Sequence, residues 1–133
     1  MLVREYRESD LDALKQIHEA QRFPYAFPHL RDPLFLTRLV VTTDDEKVLG
    51  AALLRLTAEA YLLLDPQQGS PRQRWQSLLA LHDAAQRDAQ QRGLEDVHAW
   101  LPPRIAKTFG RRIERLGWRR DDEWTPYCKR FYE

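Results

Sequence analysis

Two groups of residues in this chain have the types and spacing to do chemistry. The first is Asp65-Pro66-Gln67-Gln68-Gly69-Ser70-Pro71-Arg72-Gln73-Arg74-Trp75. A helix that starts here offers main-chain N–H groups with no intrahelical acceptor, and its positive end favours an anion such as a phosphate. Gly69 lets the backbone approach such a ligand closely. The guanidinium groups of Arg72 and Arg74 are able to bind phosphate directly. Other features pull the opposite way. Pro71 removes one N–H donor, and Ser70-Pro71-Arg72-Gln73 fits the pattern S-x-x-Q, in which Ser70 and Gln73 cap the helix themselves. The residues alone lean toward a capped structural helix over an anion cradle.

The second group is Glu59 and Tyr61, two residues apart and so on one face of a strand. His98, on a later strand, is a further titratable candidate. Carboxylates, phenols and imidazoles are the groups that carry general acid–base work. The plainer reading is a solvated Glu59 at a strand end and a packed Tyr61 with its hydroxyl at the rim. Cys128 has no sequence-local partner for a nucleophilic role and reads as a small strand residue. No H-E-x-x-H, G-x-S-x-G or Walker-type pattern occurs. His18, His29, His82 and His98 are too scattered to suggest a metal site.

The elements that must position these residues follow from periodicity and punctuation. Leu2 to Tyr6 reads as a strand. Ser9 is a suitable N-cap, with Asp10 and Asp12 in the first turn, and Leu11, Leu14, Ile17 and His18 keep helical spacing to about Gln21. His18 reads as a packed helix residue. Phe23-Pro24-Tyr25-Ala26-Phe27-Pro28-His29 interleaves aromatics with prolines, as a structured loop that either walls a cleft or covers the core. Residues 33–38 suggest a short helix. Leu39 to Thr43, a turn over Asp44–Lys47 and Val48 to Leu56 read as a hairpin. Residues 58–64 form another strand, broken at Asp65-Pro66. Ser70 and Pro71 open the longest helix, whose stripe is Trp75, Leu78, Leu79, His82, Ala85 and Ala89, and Gly93 ends it. A strand over 96–101, a helix over 104–116 stopped by Gly117, and closing strands over 118–120 and 125–132 complete the chain. The strands 58–64 and 96–101 are expected to be parallel neighbours that splay at their C-terminal ends.

The bulk composition sets limits. The length of 133 residues suits one domain. No repeat, low-complexity tract or linker divides it. The net charge of +1 points to no nucleic-acid or acidic partner. Residues 104–133 are basic, with 9 Lys+Arg against 5 Asp+Glu. That end either meets an anionic ligand or is a solvated helix face. Its arginines are interspersed with Glu114, Asp121, Asp122 and Glu123, and no groove-reading motif accompanies them, so nucleic acid is not expected. The start lacks the apolar region of a signal peptide, and no run of 18 apolar residues is present. With Cys128 as the one cysteine, a cytoplasmic protein without membrane attachment is expected.

The order β-α-(α)-β-β-β-α-β-α-β-β resembles the GNAT superfamily of acyl-CoA-dependent N-acyltransferases over nearly the whole chain. The segment from Ile105 to Trp118, a helix running into Gly117-Trp118, resembles the family's last helix and its Gly-aromatic pair. Leu64-Asp65-Pro66 resembles the strand that enters the family's cofactor loop. The resemblance implies an α/β (α+β) fold, residues 1–133 forming a single GNAT-like domain. It implies a mixed central sheet of about six to seven strands flanked by about four helices. It also implies transfer of an acetyl or other acyl group from acetyl-CoA or a related acyl-CoA to a small-molecule or peptide amine. Leu64, Gly69, Ser70, Arg72, Gln73 and Arg74 then take the cofactor-binding positions, Glu59 becomes the candidate base and Tyr61 the candidate acid, with His98 as an alternative base. Two departures are plain. The loop keeps one glycine of the family's R/Q-x-x-G-x-G/A pattern, and the last helix has Ile113 and Ala106 where the family often has tyrosine and asparagine. A GNAT-like domain without catalysis, acting in interaction or ligand sensing, is the alternative.

Overall fold

The computed structural model describes residues 1–132. The chain divides into two compact units, Met1–His98 and the residues from Ala99 onward. The first unit contains β1 (Leu2–Glu5), a 3-10 turn (Glu8–Asp10), α1 (Leu11–Gln21), β2 (Phe35–Thr42), β3 (Val48–Arg55), β4 (Ala58–Glu59), α2 (Pro71–Gln91) and β5 (Val97–His98). The second contains α3 (Pro103–Glu114).

β2 is the middle strand of an antiparallel sheet ordered β1-β2-β3. Register places Arg4 opposite Val40 and Leu2 opposite Thr42, while Val40 faces Ala51 on the other side. Val40 and Thr42 are fully buried, and Leu14 of α1 and Leu30 of the preceding loop join Val40 in the core. Tyr6, Ile17, Phe27, Phe35, Val48 and Leu53 pack around them, half-buried. Thr43 closes the hairpin: its N–H donates to Lys47 O at 2.9 Å, its Oγ1 accepts Lys47 N–H at 3.0 Å, and Glu46 takes a left-handed φ of 66°. That left-handed residue after a tight turn lets the strands keep their twist.

One buried ion pair joins β1 to the start of α1. Arg4 Nη1 and Nη2 donate to the two carboxylate oxygens of Asp10, each at 2.8 Å, and Asp10 is only 4% exposed. Asp10 Oδ2 also accepts the Arg7 N–H at 2.8 Å, and the Asp10 N–H donates to Arg7 O at 2.9 Å. The reciprocal bonds fold Arg7–Asp10 into the turn that launches α1. Asp10, and not Ser9, is the residue that stabilises this end, because its longer acidic reach also satisfies Arg4.

The expected six- to seven-stranded sheet with four helices is not what forms. Three strands pair antiparallel, two pair parallel, and there are three α-helices among the described residues. The short helix read over 33–38 is replaced by the beginning of β2. Asp32 Oδ1 accepts the Leu34 N–H at 2.9 Å and Asp32 O the Phe35 N–H at 3.0 Å, a turn that delivers Phe35 directly into the ladder. The closing strands read over 118–120 and 125–132 are absent among the described residues, where the chain carries only turns and irregular backbone. Pro126 removes a ladder donor, and Lys129-Arg130 breaks the alternation that a half-buried strand needs. The strands read over 58–64 and 96–101 shrink to two residues each. They are parallel partners, Ala58 with Val97 and Glu59 with His98. Ala60 N–H still donates to His98 O at 2.7 Å, and the pairing ends there. The later segment soon meets Pro102-Pro103, neither of which has an N–H to offer.

The glycines past α2 and α3 act as read. Gly93 and Gly117 have φ of 82° and 97°, and Leu94 N–H and Trp118 N–H reach back to Ala89 O and Ile113 O. These are the bonds of a Schellman turn, for which a left-handed glycine is suited. In the aromatic loop, Phe27 covers the core. Tyr25 stands partly outside it, tilted on the His18 ring at 5.2 Å and stacked with Phe23 at 5.6 Å. His18 is packed between Tyr25 and Phe27, as its position on the apolar face of α1 suggests.

The hydrogen bonds from Arg4 outweigh the opposing effect of burial and hold the Asp10 carboxyl below its usual pKa. A depressed carboxyl contributes stability above the unfolded value, about 3.9, and loses it as pH falls through the folded value. Asp10→Asn is therefore expected to destabilise the fold at neutral pH, because the half-buried Arg4 loses its partner charge. Its stability should also fall less steeply than wild type below about pH 4. Urea midpoints measured across pH check both statements, and parallel acid limbs would count against the assignment.

Candidate functional site

The turn before α2 is organised by its own side chains. Ser70 Oγ accepts the Gln73 N–H at 3.1 Å, and Gln73 Oε1 accepts the Ser70 N–H at 2.8 Å. The two bonds make a complete capping box. Pro71 follows at the first helical position. Arg74 N–H already donates to Ser70 O at 3.0 Å. Of the first turn, Arg72 alone keeps a main-chain N–H without an acceptor among the described residues. Gly69 takes φ of 71°, and a Cβ there would stand 2.9 Å from Gln73 Oε1. Its lack of a side chain is thus required by the cap, with no need of a ligand to explain it. The Arg74 guanidinium turns back onto the loop, donating to Gly69 O at 2.8 Å and Gln68 O at 3.4 Å. Arg72 is exposed.

Beside this turn lies an open depression of about 520 Å³. Gln68, Gly69, Gln73, Arg74, Gln76 and Ser77 line it. Ala80 completes the lining, whose surface is more apolar than polar although most of its side chains end in amides, a hydroxyl or a guanidinium. Leu64, expected at the entry to the loop, is half-buried and lies outside any strand.

The second group gathers around β4 and β5. Glu59 and His98 are register partners in the parallel ladder, so their side chains share a face. Asp96 stands two residues before His98 and faces the same way. Its Oδ2 is 3.7 Å from His98 Nε2 and 3.6 Å from Arg55 Nη2. Arg55 Nη1 also lies 4.0 Å from Glu95 Oε2. Arg55, at the end of β3, is the best shielded of the four, with its side chain 27% exposed. Glu59 and Tyr61 are brought together as their spacing suggests. Hydrogen bonding to Glu59, and then the charge of that carboxylate, push the Tyr61 phenol above its ordinary pKa. The carboxylate beside the phenol disfavours the phenolate. Tyr61 is 80% exposed.

Asp96 and Arg55 did not stand out in the sequence. The signal was present: an acidic pair, Glu95-Asp96, immediately before a short strand, and an arginine closing the apolar run of β3. Each is an ordinary strand-end charge by itself, and their meeting depends on β4 pairing with β5. Cys128, which reads as a strand residue, is exposed and in irregular backbone.

The chain matches no protein-family model, no curated protein and no solved structure. Among the described residues no helix is long and apolar enough to cross a membrane.

Two expectations follow from this geometry. Ser70→Ala should cost about 1 kcal/mol by loss of one capping bond. Gly69→Ala should cost about 1–2 kcal/mol through its left-handed φ and the contact with Gln73. Chemical denaturation measures both, and a neutral Gly69→Ala would show that the turn adopts another conformation. Separately, Glu59→Gln should lower the Tyr61 pKa toward its usual value near 10, since a carboxylate disfavours the phenolate beside it. Carbon-13 NMR titration of labelled tyrosine resolves this; an unmoved Tyr61 would separate the two side chains.

Proposed function

We propose that the chain is a diverged relative of the acyl-CoA-dependent N-acyltransferases in which the cofactor turn has become a structural cap, and that it acts as an interaction or ligand-sensing module. The observation that carries this reading is the closed box between Ser70 and Gln73. An acyl-CoA pyrophosphate needs free N–H donors at a helix start. Here Pro71 has none, Gln73 gives its own to Ser70, and Ser70 gives its own to Gln73. A ligand phosphate would have to displace two protein hydrogen bonds to gain the same donors.

A second reading, transfer of an acetyl group from acetyl-CoA to an amine, is favoured by a different observation. The parallel pair β4–β5 sets Glu59 and His98 side by side, and Asp96 lies between His98 and Arg55. Attack by an amine on a thioester needs a base to take its proton, and either Glu59 or His98 has suitable chemistry. In that reaction the thioester carbon gains the amine nitrogen, the thiolate leaves, and the amine proton passes to the base. Proximity alone contributes much of such a rate enhancement.

Calorimetric titration of coenzyme A and acetyl-CoA into the protein separates the two. The proposed module should give millimolar binding or none. Micromolar binding would overturn it, and the affinity should then rest on Arg72 more than on Arg74, whose guanidinium is already engaged. Loss of one charge-assisted bond, about 1.5–3 kcal/mol, predicts roughly tenfold weaker binding or more in Arg72→Ala, and weaker binding in wild type as salt rises.

A further inference from the structure

We draw no further inference here: the strongest candidate, the apolar stripe of Ile105, Phe109 and Ile113 along the arginine-rich helix α3, in which no residue is fully buried, carries nothing because nothing in the structure shows what covers it.

Discussion

The Arg4–Asp10 pair is the constraint on which the antiparallel sheet and its helix depend. A buried carboxylate is tolerable only when its lone pairs are filled and its charge is met. Asp10 meets both conditions through two arginine donors and one main-chain N–H. The result is geometric as much as energetic. A fork-to-fork pair fixes direction as well as distance, so β1 cannot change register against β2 without losing the partner that starts α1. The direction of α1 in turn sets Leu14 over Val40, the centre of the core. A hydrophobic contact in place of the pair would be less particular about angle.

The turn ahead of α2 shows how similar residues can serve opposite ends. Glycine, serine, a helix start and nearby arginines are the ingredients of an anion cradle, and they are equally the ingredients of a self-satisfied helix end. Position decides between them. With glutamine three residues after the serine and proline at the first helical position, the donors face inward to protein acceptors. Arg74 completes the arrangement by donating to the carbonyls of its own loop in place of an anion.

Much of this was legible from residue order, for reasons that differ by element. The cap of α2 was readable because Ser70 and Gln73 are local, and local hydrogen bonds need no knowledge of the fold. The turn at 44–47 and the glycine stops at Gly93 and Gly117 were readable for the same reason. The helix expected over 33–38 failed because Asp32 redirects the chain and β2 offers Phe35 a place in a ladder, a tertiary gain that outweighs weak local preference. The strands expected near the C-terminus were read as flanking the acidic turn Asp121-Asp122-Glu123, and a turn alone does not supply the pairing partner that a strand needs. Arg55 and Asp96 were invisible for the converse reason: their approach is long-range, produced by a two-residue parallel pairing. Arg4 and Asp10 are six residues apart, yet their pairing needs a strand, a turn and burial together.

The arrangement of the three-stranded sheet also orders its assembly in time. β2 and β3 are separated by the five residues 43–47, whereas β1 and β2 are separated by the 29 residues from Tyr6 to Leu34. Bringing the ends of the longer segment together costs about 1.5 kcal/mol more in chain entropy than closing the shorter one. Hairpins of the shorter kind close in microseconds. The central strand can therefore acquire its β3 neighbour while the amino-terminal strand is still diffusing. Arg4 and Asp10 are only six residues apart, so their pair closes over a short segment and the β1–β2 pairing is the entropically costly step.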